Sequence, residues 1–282
     1  MKENEKTANV GSEGVAVSSE PVKGQKKAAG EDYFADFDFS KLETSIEEMF
    51  KHGVHFGHHK SRKNPKMDDF IFGTRNGINI LDLEKTSQKL RAALEFIIQS
   101  VSDGKEILYV GTKKQAKRLV ESAAKKTGVS YVSERWLGGT FTNFPVISKR
   151  TRYLREGQEK MKKGGYAQYT KFEQMKIAEE LSRLERKMGG IKNMLRVPDV
   201  IFALSVIDDN LAIKEAQAKN IPVIALVDTN VDPDGIDYPI PANEDAVSSI
   251  ALMLAYVSKA VMDGREKALL KVKNKEENNN EK

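Results

Sequence analysis

Three short apolar-rich runs, at residues 106–110, 200–204 and 222–227, constrain the fold of this 282-residue chain more than any other feature, because helical patterns separate them. A strand that is apolar without alternation is buried on both faces. Helices at 113–126, 211–219 and 246–262 follow the three runs. Strand and helix in alternation imply parallel strands joined by right-handed crossovers, with helices covering both sides of the sheet. The pattern predicts a Rossmann-like, doubly wound α/β domain.

The remaining segments fit around this frame. A helix is predicted over 46–52, with Ser45 as its cap, Glu48 in the capping-box position and Gly53 as its stop. A basic loop follows, then a short strand at 78–81. Asp82 caps a long helix whose Leu90, Leu94, Ile97 and Val101 share one face, and Gly104 ends it. Residues 146–188 break the rhythm. They read as a helical hairpin folded at Gly164 and Gly165, and Ile177, Leu181, Leu184 and Met188 form the seam of a short coiled coil. The α/β domain therefore comprises 44–145 and 189–263. Residues 1–43 lack the apolar content to offset the entropy of ordering, and 264–282 are dominated by Lys, Glu and Asn; both are expected to be disordered. Within the first of these, Tyr33, Phe34, Phe37 and Phe39 alternate with Asp32, Asp36 and Asp38. Such a patch suits docking on a partner or folding back onto its own domain.

Lys and Arg number 46 against 41 acidic residues, so the net charge of +5 permits a polyanionic partner without requiring one. With no cysteine there is no disulfide, thiolate metal site or cysteine nucleophile, as in a reducing compartment. The sequence presents neither a signal peptide nor an apolar run of membrane-spanning length, and the expected location is the cytoplasm.

Charge becomes informative where it clusters. All four histidines, His52, His55, His58 and His59, precede Lys60, Arg62, Lys63, Asn64 and Lys66, and Arg75 closes the segment. Phe56, Phe70 and Phe72 lie between them. Cations neutralise phosphates and release counterions, while imidazole and phenyl rings stack on unpaired bases. The same residues would also serve as a solvated charged loop, and the histidines leave a metal site open.

Other segments extend the cationic surface. The turn from Gly111 into Lys113, Lys114, Lys117 and Arg118 follows a strand and opens a helix, where backbone N–H groups hold anions. It matches neither a Walker loop nor G-x-G-x-x-G. Arg135 and Trp136 precede a double glycine, and this Arg-Trp pair suits either stacking on a base or packing. Arg150 and Arg152 belong to a run of seven cations on the first hairpin arm, from Lys149 to Lys163, opposed only by Glu156 and Glu159. The loop 228–237 is rich in oxygen ligands, but Pro241 stands where a calcium loop needs Glu. No nucleophile with a base and no nucleotide-fixing loop is present, so the enzyme reading rests on fold analogy alone.

Five motifs occur in one order: Met49-Phe-Lys-His-Gly-Val-His-Phe-Gly-His58, Asn64-Pro-Lys-Met67, Arg135-Trp-Leu-Gly-Gly-Thr-Phe-Thr-Asn143, Pro198-Asp-Val-Ile-Phe and Val227-Asp-Thr-Asn230. From Ser45 to Lys267 the chain resembles the bacterial small-subunit ribosomal protein S-two family. The resemblance implies a structural protein, not an enzyme, bound to 16S rRNA between the head and body of the small subunit. It also implies neighbouring ribosomal proteins as partners, among them the large OB-fold protein S-one, which brings messenger RNA. No small-molecule substrate, membrane or obligatory cofactor is implied. A structural zinc ion in some relatives would carry over to His58, Asp209 and Asp228. The long extension before Ser45 departs from the family's short start.

Overall fold

The computed structural model describes Phe34 and residues 44–280, with side chains described as far as Lys271. Five parallel strands form the central sheet: β4 (Ile107–Val110), β5 (Ser130–Val132), β6 (Val200–Ala203), β7 (Val223–Val227) and β8 (Tyr238–Pro241), ordered β5-β4-β6-β7-β8. Alternate residues of its central strands feed two separate cores. Tyr109, Phe202 and Leu226 face one of them, with α2 (Leu83–Ser102), α3 (Lys117–Thr127) and α7 (Val247–Asn280). Leu108, Ile201 and Ala225 face the other, with α6 (Asn210–Ala218) and the bases of α4 (Phe144–Lys162) and α5 (Lys171–Met188). This is the doubly wound architecture that the apolar runs predict.

The strand expected at 78–81 forms, but the basic segment before it is not a loop. β1 (Phe56–His59), β2 (Ile71–Arg75) and β3 (Ile78–Leu81) make an antiparallel sheet in the order β1-β3-β2. Two turns of 3-10 helix, Lys60–Arg62 and Pro65–Phe70, join β1 to β2. The sheet follows α1 (Ile46–Lys51), and here too the expectation needs correcting. Ser45 has the extended backbone of an N-cap but makes no side-chain capping bond. Glu48 instead accepts from the Tyr256 hydroxyl at 3.3 Å, tying α1 to α7.

Both ends of the α/β domain are more integrated than expected. Phe34 is buried in the core beside α3, with the Lys126 ammonium 5.4 Å from its ring centroid. For this residue the aromatic patch folds back; its other members lie outside the described residues. At the C-terminus, α7 continues through Asn280 instead of giving way to a disordered tail at 264. Gly264 is not a stop. A Cβ there would lie 2.8 Å from Val101 Cβ, so glycine permits close approach to α2. Beyond it Arg265 donates to the Thr127 carbonyl, and Lys271 reaches Ser102 and Asp103 at 3.0 Å each. Contrary to expectation, Val247–Lys271 is long and apolar enough to cross a membrane, but 72% of that apolar window is buried in the fold. Its apolarity is that of a core helix.

α4 and α5 pack where Gly157 meets Leu181, whose Cδ2 would be 2.7 Å from an added Cβ. Thr170 and Glu173 complete a capping box at the start of α5. Of the expected seam, Leu181 and Met188 are buried and Ile177 and Leu184 half-buried.

Candidate functional site

In a doubly wound sheet, ligands bind beyond the carboxyl ends of the strands, where the strand order reverses. Here that crevice is filled by the chain itself. The small sheet lies over it: His58 N donates to Thr229 Oγ1 at 2.9 Å, Asn64 N to the Thr229 carbonyl at 2.9 Å, and Asn243 N to the Val54 carbonyl at 3.1 Å. Gly57 packs so closely on Thr229 that no side chain fits there.

The turn after β4 is occupied in the same way. Residues 113–116 are not helical, since α3 begins only at Lys117. Thr112 N and Oγ1 donate to Asp209 Oδ1 at 3.1 and 2.8 Å, and Ser205 N donates to Oδ2 at 3.3 Å. A buried carboxylate of the chain thus sits where a nucleotide phosphate would. Burial pushes Asp209 up to about 6, against the pull of the Thr112 and Ser205 hydrogen bonds.

Beside it, His58 bridges two carboxylates. Nδ1 is 3.1 Å from Asp228 Oδ2 and Nε2 is 3.2 Å from Asp245 Oδ2. The hydrogen bond to Asp228 raises the imidazole above its ordinary value, burial opposes it, and Asp245 and Glu244 add to the rise. Lys113 completes the cluster, 2.6 Å from Asp245 Oδ1 and 3.2 Å from Glu244 Oε1. The ligand atoms of His58, Asp228 and Asp245 lie within 4.8 Å of one another, a nitrogen and two oxygens suited to a divalent cation. Asp209 is spent on Thr112 and Ser205 and does not join them. The sequence does not single out Asp245, which lies in the loop after β8.

The expected phosphate contacts divide in two. Lys63 pairs with Asp68 at 2.5 Å, Lys66 with Asp232 and Asp234 at 2.7 and 2.5 Å, and Lys117 with Glu134 at 2.8 Å. With Lys113, these cations neutralise the chain's own acids. Lys66 in particular takes the carboxylates of the calcium-like loop. Lys60 and Arg62 on the 3-10 turn after β1 and Arg75 on β2 are exposed and make no ion pair among the described residues; the same holds for Lys114, Arg135, Arg150 and Arg152. His59 is exposed and bonded to Ser61, and Asn64 caps a 3-10 turn through Lys66 N.

Two expected contacts are interior. His55 is 7% exposed, stacked on Phe50 with ring centroids 4.5 Å apart and tilted against Phe56 at 4.1 Å. Trp136 is 5% exposed, edge-on to Phe141, and its indole donates to Glu215 Oε1 at 3.2 Å. Both pack, because apolar neighbours enclose them more fully than an open base platform allows. Glu215 also accepts from Gly139 N at 2.7 Å, Phe141 N at 2.9 Å and Thr142 N at 3.2 Å, and so shapes the loop that presents Arg135. A lone Glu on an amphipathic helix gave no sign of this role.

Residues 49–264 match the family model described as ribosomal protein S2. The chain is 44% identical over 222 residues to the small ribosomal subunit protein uS2 of Dehalococcoides mccartyi strain BAV1, covering 79% of this chain and 91% of the relative. The protein of the same name from Roseiflexus sp. RS-1 is 44% identical over 223 residues, covering 79% and 85%. That of Chloroflexus aurantiacus is 44% identical over 220 residues, covering 78% and 92%.

Proposed function

The chain belongs to the ribosomal protein S2 family, and from that premise we propose that its exposed, unpaired cations hold it on 16S rRNA at the junction of head and body. Membership makes it a structural, non-enzymatic component of the small ribosomal subunit. The observation that carries the RNA reading is the division of cations. Those facing the crevice are neutralised from within, whereas Lys60, Arg62, Arg75, Arg150 and Arg152 keep their charge for a partner. Phosphates are the polyanion that a small subunit offers. On this reading the protein is cytoplasmic and ribosome-bound, with neighbouring ribosomal proteins at its other surfaces. Docking of protein S-one, and through it of messenger RNA, is part of the proposal and rests on family membership alone.

A zinc ion, where bound, would be held by His58, Asp228 and Asp245 and would lock the small sheet onto the strand ends. Its role would be structural. Cosedimentation with small subunits in moderate salt tests the proposal: the protein is expected with the subunits, and recovery wholly in the free pool would contradict it.

A further inference from the structure

Glycine in a strand is a cost unless something demands it, because it gives up more conformational freedom than any other residue. Most described glycines have a reason within the chain. Either φ is positive, as at Gly77, or a Cβ would strike a neighbour, as at Gly57, Gly111 and Gly264. Gly73 and Gly138 have neither: φ is not in the left-handed region and no described residue lies within 4 Å of an added Cβ. Both stand close to an exposed arginine that makes no ion pair among the described residues, Arg75 and Arg135 respectively.

Gly73 also lies at an irregularity. β2 pairs with β3 as Ile71 with Leu81 and Gly73 with Ile80, so β2 holds one residue more than its partner and Phe72 is left unpaired. A bulge of this kind re-aims a side chain. Phe72 is 80% exposed, the most exposed large apolar residue among those described. Three residues along the strand, at about 3.3 Å per residue, Arg75 stands roughly 10 Å from Phe72. Lys60 lies across β3 from Arg75, with its backbone N–H bonded to the Gly77 carbonyl in the β2–β3 turn.

We infer that the Phe72–Gly73 bulge is a binding point for an unpaired rRNA base, which stacks on the phenyl ring while its backbone passes over Gly73 toward Arg75 and Lys60. An exposed ring offers a face to any base, a missing Cβ offers room for close approach, and unpaired cations a short step away meet the adjoining phosphate. An apolar groove on a neighbouring protein would also take a phenyl ring, but it would not call for the two free cations. The inference rests on the RNA-binding reading and goes beyond it in naming the contact.

Phe72→Ala and Gly73→Ala in the full chain test it, with binding measured to naked 16S rRNA and to small subunits lacking this protein. Phe72→Ala should leave the melting temperature unchanged and weaken binding to both by about 5- to 150-fold, the usual range for one stacked base. Gly73→Ala should hold or raise the melting temperature and still weaken binding about tenfold or more. Wild-type affinity in both variants overturns the inference. So does weakening on subunits alone with naked rRNA unaffected, since the partner would then be a protein. Failure of the wild-type chain to bind either target would instead remove the RNA reading beneath it.

Discussion

Glu215 shows how far a single side chain can shape the surface. Its carboxylate receives three backbone N–H groups and the Trp136 indole, all from the loop that presents Arg135. Burial by itself would raise its pKa, but the hydrogen bonds from Phe141, Gly139 and Thr142 outweigh it and hold the group below the usual value. Glu215→Gln would point an amide NH₂ at N–H donors and should cost about 2 to 5 kcal/mol in chemical denaturation. Because the folded pKa is depressed, the wild-type advantage is present above the unfolded value of about 4.3 and fades as pH falls through the folded one. Asp209 has the opposite sign. Its folded pKa of about 6 lies above the unfolded value of about 3.9, so its contribution is whole below the latter and lost as pH rises through the former. Between about pH 4 and pH 7, Asp209→Asn should gain on the wild type by about 3 kcal/mol, read from the difference between two stability-pH curves.

Among the elements, position decided what the sequence revealed. β4, β6 and β7 are central, so their apolar runs stand out. β5 and β8 form the two edges, and both escaped notice. β5 has only three residues, and β8 carries Pro239 and Pro241, which belong to an edge strand but read as a loop. Of the small sheet, only β3 was legible, as the strand expected at 78–81. β1 and β2 hold His, Gly, Thr and Arg, and their burial does not alternate cleanly, so no period-two signal marked them. The site was legible in part: the basic stretch and His58 could be picked out, but which cations stay free depends on Asp232, Asp234 and Asp245, far along the chain. Element junctions also set sharp steric limits. Gly190, just beyond α5, abuts the Tyr131 carbonyl on β5, leaving no room for a Cβ. Gly190→Ala should therefore lower the melting temperature by several degrees, corresponding to about 1 to 3 kcal/mol, whereas Gly138→Ala should not.

At the scale of the whole molecule, the chain fills its own ligand crevice and turns its unneutralised charge outward. A doubly wound fold ordinarily offers the crevice to a nucleotide. Here the small sheet, Asp209 and the His58 cluster occupy it, and this agrees with the non-enzymatic character of the family. On the proposed reading the free cations, not the paired ones, hold the RNA, and the salt dependence of affinity for 16S rRNA tests it. Replacing Lys60, Arg62 and Arg75 together with Ala should weaken binding and flatten the slope of log K against log salt by about one unit per lost phosphate contact. Lys66→Ala, which removes a cation already paired with Asp232 and Asp234, should leave that slope unchanged. An unchanged slope in the triple variant, or a flattened one in Lys66→Ala alone, would contradict the account.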